Sequence, residues 1–411
     1  MTLLRHIPWL SLLAALAIGC SENATPTTTV TPTVQVIRVR LRQGVSQVEI
    51  AATSNPRLVT PTMQRDLLFP QHGGIIVTRV PGGWRIGGAQ IAGDAIAFWP
   101  QAGVLSVDKS PYRGSLRFIP VGEDGSFDVI NDLPIDDYLK GVLASELYRN
   151  WDIQAYKAQA VVARTYALYH AHLDGVGRYW DVYPDERSQM YGGMAAETAK
   201  SDQAATETAG LVLTYGPGEG RIFEAYFSSD SGGVTQSAAD AFPGGPDIPP
   251  LQSHPEPNSD LLSPYRNWGP ITISKAELTR RLQIWAARRS PPRPEINVTA
   301  IDKVELAALN PYGRPRAFRI TDATGNVYVI TAEEMRAVFN TDAPSGQGNT
   351  LPSSFCKVGT SDTSVVFFDG HGYGHGVGMC QWCAQQQAAA GETYDQIVLA
   401  AYPQARLARA Y

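Results

Sequence analysis

Residues 133–147 read LPIDDYLKGVLASEL. The pattern predicts a helix over 136–147, with Asp136 as its N-cap and Asp137 favourable in its first turn. Glu146 stands at the other end, with apolar Leu143, Leu147 and Trp151 close by in the chain. A carboxyl group enclosed by such neighbours is held toward its protonated form, the state a proton donor needs. The alternative is a solvated residue in a last helical turn, which is where most glutamates are found. A second patch lies near the C-terminus. His375 sits in GYGHGVGM, ringed by Gly374, Gly376 and Gly378. Glycines there let the backbone approach a bulky ligand and expose N–H donors. A structural turn whose histidine caps the following helix is the competing reading.

Cys380-x-x-Cys383 follows directly, and Cys356 and Cys20 complete the four cysteines. In an oxidising compartment one disulfide among Cys356, Cys380 and Cys383 leaves one thiol over. A metal site using His371 and His375 is a weaker reading. Gly-rich spacing fixes no ligand geometry, and no second Cys pair exists.

These residues need positioning, and the chain supplies it in blocks. Residues 1–19 read as a leader: Arg5, then an apolar run from Ile7 to Gly19, too short for a comfortable membrane span. Ala17-Ile18-Gly19-Cys20 resembles a bacterial lipobox, which makes Cys20 the lipidated first residue and anchors the protein to a membrane. An ordinary secretory signal is the alternative, and either way the protein is exported. Residues 20–35 form a Thr/Pro tether that cannot build a core.

From 36 to 131, short alternating runs such as VQVIRVRLR, GIIVTRV and GSLRFIPV are punctuated by Gly, Pro and Asn, which predicts an antiparallel β region. From 132 to 405 the texture is mixed. Helices are expected at 136–147, 152–172, 197–209 and 274–288, and GLVLTY with RIFEAYFSS reads as a hairpin. Residues 270–350 form a possible inserted lobe. A strand, the Gly-rich loop and two short helices around Gly391 follow. The fold class is therefore α+β, a β-rich N-terminal region followed by a mixed helix-and-strand core.

The chain of 411 residues is 44% hydrophobic and 18% charged, with a net charge of −5. That balance supports a packed core, argues against nucleic acid as the main partner, and suits an uncharged or mixed polymer.

Four ordered segments carry a resemblance. They are residues 133–168, DERSQMYGG, AYFSSDSGGVTQSAADAF and GHGYGHGVGMCQWCA, and SPYRNW and LPSSF also fall in place. Together they resemble the stage II sporulation protein D family, which includes the amidase-enhancer proteins. Its characterised members are lytic transglycosylases cutting peptidoglycan glycan strands stripped of stem peptides.

The resemblance implies Glu146 as the catalytic carboxyl. Within these segments Gln189, Ser228, Ser229 and Gln381 are neutral hydrogen-bonders suited to sugar hydroxyl and N-acetyl groups, and His375 lies in a loop suited to sugar binding, although such polar residues more often keep the fold. Arg164 and Tyr166 would orient Glu146, or merely cap and pack. Some members bind zinc around the Ser-Gln-x-Tyr element, but Arg187 and Ser188 stand where those have His and Cys. No metal or other cofactor is expected. Cys380 and Cys383 replace the family's usual Ser and Gly, a change that supports a disulfide involving Cys356. The implied partners are peptidoglycan glycan strands and possibly a cell-wall amidase. A non-catalytic amidase enhancer remains the alternative to an enzyme.

Overall fold

The computed structural model describes residues 35–411, except 71–72, 174–176, 219, 257–260, 290–292, 294 and 345–347. The leader, Cys20 and the tether up to residue 34 lie outside the described residues. The architecture is mixed α and β, with antiparallel sheets leading into helices.

Two six-stranded sheets form the N-terminal region. One runs in the order Val36–Val45, Phe127–Pro134, Ser115–Pro120, Ile96–Trp99, Arg57–Val59 and Gln64–Asp66. The other is centred on Gln47–Ala52, paired antiparallel with Ile75–Val80 and with Leu105–Val107. Alternation explains why they pack: along Ser115–Pro120, Leu116 and Phe118 face inward while their neighbours are partly exposed. Trp84, Phe98, Phe118 and Phe127 are fully buried and meet edge to face at 5.1–6.1 Å. Each such side chain contributes about 1.5–3 kcal/mol by leaving water.

Strand Phe127–Pro134 feeds straight into helix α1 (Ile135–Glu146). Its N-cap is Pro134, not Asp136 as the sequence pattern suggested. The strand runs on to Pro134, three residues past the expected end of the β region, so the helix starts one residue early. Asp136 is thereby freed for a tertiary ion pair, described below.

Helix α2 (Ile153–Leu173) is the spine. Tyr156, Ala160, Ala163 and Ala167 join the core beneath the β region, while Ala155, Ala158, Val161 and Val162 join a second core with the C-terminal segments. A helix buried on both sides must be built of small residues, which accounts for its alanines. Helix α3 (Ala199–Glu207) is capped by Thr198 through a reciprocal capping box with Ser201.

The expected hairpin holds only in its first half. Leu211–Tyr215 pairs antiparallel with Arg221–Ile222, but Phe227–Ser228 leaves to run parallel with Met379–Cys380. A one-turn helix, α4 (Ala238–Ala241), follows.

A third core joins Ile271 through Phe367. It contains α5 (Lys275–Arg288), capped by Ser274, and the meander Ile301–Leu309, Pro315–Asp322, Val327–Thr331. It also contains α6 (Ala332–Asn340), which the sequence pattern did not single out although Thr331 and Glu334 form a capping box. The chain closes with α7 (Gln381–Ala389), α8 (Tyr394–Ala401) and strand Arg406–Arg409. No helix among the described residues is long and apolar enough to cross a membrane.

Candidate active site

Glu146 is the last residue of α1, and its side chain is mostly enclosed rather than solvated. Burial pushes its carboxyl pKa up from the ordinary value. Two donors pull the other way: the Met190 N–H at 2.8 Å from Oε1 and the Gln381 Nε2 amide at 3.3 Å from Oε2. Burial wins. Both oxygens are held, one from each side, and the carboxyl favours its protonated form more than a solvated glutamate does.

The Met190 N–H is aimed by the Ser188-Gln189-Met190-Tyr191 loop. Gln189 is buried at 1% exposure, accepts from the Tyr138 hydroxyl at 3.1 Å and donates to the Ala163 carbonyl at 3.4 Å. It ties the loop to α1 and α2 and does not present itself to a ligand. Tyr191 donates to Asn131 Oδ1 at 3.0 Å, and Ser188 Oγ accepts the Tyr183 N–H at 3.1 Å. Gly141 in the middle of α1 allows this close approach, since a Cβ there would lie 2.9 Å from the Gly193 carbonyl oxygen and from the Tyr191 ring.

The Gln381 amide is aimed by the closing motif. Parallel pairing of Phe227–Ser228 with Met379–Cys380 delivers the start of α7 to Glu146. Cys380 is its N-cap, with Sγ accepting the Cys383 N–H at 3.1 Å, and the Trp382 N–H binds the Ser229 carbonyl at 3.0 Å. Cys380 and Cys383 form a disulfide, whereas Cys356 is a free, buried thiol pushed by burial up to about 12. The expectation of a bridge involving Cys356 is corrected: Cys356 is buried in the core of the 271–367 region, away from the pair. A bridge closing so short a loop contributes only about 2 kcal/mol in the chain-entropy picture. Glu256 completes a compact group with the two sulfurs, but the bridge occupies both of them.

The other expected residues lie elsewhere. Ser228 is buried, and its Oγ accepts the Gly376 N–H at 3.2 Å. Ser229 contributes its carbonyl to Trp382. His375 Nδ1 accepts the Val377 N–H at 2.9 Å, its carbonyl accepts from Arg314, and its ring packs against Phe242 and Tyr226. Burial lowers its pKa to about 4, so the ring is neutral near pH 7. The surrounding glycines serve packing too. A Cβ at Gly378 would meet the Tyr226 carbonyl oxygen at 1.9 Å, and one at Gly376 would meet Arg314.

Arg164 is not a partner of Glu146. Its buried guanidinium binds Asp136 Oδ1 at 2.8 and 2.9 Å and the carbonyls of Leu211 and Ala205. Tyr166 packs its ring against His170, Tyr226 and Phe227.

Sequence reasoning missed Met190, whose contribution is a backbone N–H that no side-chain pattern reveals. Of the aromatic surroundings it named only Trp151. Tyr148, Trp151 and Trp382 meet at 4.8–5.5 Å, and Tyr265 lies between Tyr148 and Tyr373. Tyr148 is 50% and Tyr373 44% exposed, unusual for aromatic rings.

The Ser-Gln-x-Tyr loop and the start of α7 meet at the helix-borne Glu146 carboxyl, and these are segments on which the comparisons can be set. The family model described as Stage II sporulation protein matches residues 123–215, from the last strand of the β region to Tyr215. That match and the relatives below support a likeness to the stage II sporulation protein D and amidase-enhancer family. It is 29% identical over 306 residues to an uncharacterized protein of Brachyspira hyodysenteriae, covering 74% of each chain. It is 27% identical over 330 residues to the amidase enhancer of Bacillus subtilis, covering 73% of this chain but 44% of that relative. Stage II sporulation protein D of Bacillus subtilis is 26% identical over 294 residues, covering 68% of this chain and 76% of the relative.

Proposed function

We propose that this protein is an exported lytic transglycosylase that cleaves denuded peptidoglycan glycan strands with Glu146 as its acid and base. The family-model match and the relative named amidase enhancer support a cell-wall-related function in the envelope. The observation that carries the enzymatic reading is one enclosed carboxyl held by an N–H and an amide. Among the described residues, no second carboxyl is among its hydrogen-bond partners.

Glycosidic cleavage needs an acid at the departing oxygen, and hydrolases add a second carboxylate to direct or replace water. A single carboxyl suffices when the sugar's own 6-hydroxyl attacks. Protonated Glu146 donates its proton to the glycosidic oxygen as the bond to C1 breaks. The 6-hydroxyl oxygen then bonds to C1, and its proton passes to the Glu146 carboxylate, restoring the starting form. The exposed rings of Tyr148 and Tyr373 suit stacking on sugar faces.

Incubation with denuded glycan and mass analysis of the products tests this reading. Ends of 1,6-anhydro-N-acetylmuramic acid are expected, and reducing ends would mean that water attacks. The second reading, a non-catalytic amidase enhancer, rests on the Bacillus subtilis relative of that name. It is favoured if the wild-type protein cuts no glycan. Anchoring through Cys20 is part of the proposal, and Cys20→Ala should shift the protein from membrane to soluble fractions without altering cleavage.

A further inference from the structure

Gln381 and Trp382 are the two residues enclosed by the Cys380–Cys383 bridge, and both face the Glu146 neighbourhood. Gln381 donates to Glu146 Oε2, and Trp382 meets Tyr148 and Trp151. We propose that this disulfide is a positioning brace that locks the first turn of α7 so that Gln381 stays on the Glu146 carboxyl. The inference rests on the catalytic reading above for its activity arm only.

Three observations carry it. The first is local geometry. A bridge between residues three apart constrains little except the backbone of the two residues it encloses, so its effect falls on Gln381 and Trp382. The second is redundancy elsewhere. The segment is already anchored by its parallel pairing with Phe227–Ser228, by the Trp382 N–H on Ser229, and by the Asp152 N–H on Gln385 Oε1 at 2.8 Å. The bridge is therefore not needed to attach the helix, and what remains loose without it is the aim of the 381 side chain. The third is that the surroundings keep the bridge closed. Both sulfurs are buried, Cys380 at 1% and Cys383 at 2% exposure. A Glu256 carboxyl oxygen lies 3.6 Å from Cys383 Sγ. Opening the bridge would develop thiolate charge beside that carboxyl, which disfavours it. The device is permanent, not a switch.

The Cys380→Ser/Cys383→Ala variant isolates the brace, because serine retains the N-cap acceptor for the 383 N–H. Carbon-13 carboxyl NMR, with Glu146→Gln to assign the signal, reads the Glu146 titration directly. The ionisable side chain facing that carboxyl from α1 is Tyr138, which stays protonated throughout. Losing the Gln381 donor should move the Glu146 midpoint upward, and glycan turnover should fall about tenfold. Gln381→Ala should reproduce both effects, and combining it with bridge removal should add nothing further.

A folded bridge-free variant with the wild-type midpoint and turnover within twofold overturns the brace. So does a bridge-free variant that fails to fold, which would make the disulfide a folding staple. Wild-type protein that leaves glycan uncut removes the proposed reaction, while the NMR titration still decides the brace.

Discussion

The Met190 N–H lies 2.8 Å from Glu146 Oε1, and this pairing of a loop amide with a helix-terminal carboxyl organises the site. Met190 is in place because Gln189, one residue earlier, is clamped between Tyr138 and Ala163. The motif's polar side chain holds the scaffold, and its neighbour's backbone meets the Glu146 carboxyl. The same division recurs in the closing segment, where Ser228 and His375 hold the fold and Gln381 reaches the carboxyl.

Replacing Glu146 by Gln keeps the shape and one acceptor oxygen, turns the other acceptor into a donor that the Gln381 amide can meet only by flipping, and removes the transferable proton. Cleavage of denuded glycan should fall by a factor on the order of 10² to 10⁴, while glycan binding persists. Near wild-type cleavage by folded protein would take Glu146 out of the mechanism.

The same substitution has a signed effect on stability. The Glu146 pKa is raised on folding from its ordinary 4.5, so its favourable contribution is full below that value and is lost as pH rises through the folded pKa. Glutamine does not titrate. The melting temperature of Glu146→Gln should therefore gain on wild type between acidic and neutral pH. A gap that is constant or shrinks as pH rises would contradict the assigned burial.

Gly141→Ala sets two effects against each other. Alanine favours a helix over glycine by about 1 kcal/mol, but overpacking costs about 1–3 kcal/mol. The new Cβ would face a backbone carbonyl at 2.9 Å, which cannot swing aside as a side-chain tip could. Net destabilisation in urea unfolding is expected, with lower turnover as the Met190 loop is pushed from Glu146. A stabilised variant of unchanged activity would show that the loop is free to move.

Arg164→Met should act on stability rather than on chemistry. It removes a buried guanidinium from Asp136 and from three carbonyls, and breaking a buried pair costs about 3 kcal/mol or more. Asp136 keeps partial exposure and the Tyr411 hydroxyl at 2.9 Å, which holds the expectation to that lower end. The readout is denaturant unfolding, with the Glu146 pH–rate midpoint unchanged if Arg164 is structural.

Much of the fold was legible in local pattern. Alternation in the Ser115–Pro120 run, the alanine-rich spine of α2 and the helix expected over 274–288 each express short-range physics, and the structure carries all three. Glu146 drew attention as a carboxyl on an apolar stretch, but it was the resemblance of the surrounding motif to a known family that singled it out. The register between distant segments could not be read that way. Parallel pairing of Ser228 with Cys380, the Gln381 contact 235 residues along the chain from Glu146, and the choice of Cys383 over Cys356 as bridge partner depend on how separate segments meet. So does the use of Asp136, which local rules made a cap and which Arg164 claims as an ion-pair partner. Sequence by itself determined the local elements and offered a set of candidate residues. Tertiary structure decided which of them reach the carboxyl, because backbone donors and long-range register leave no trace in side-chain spacing.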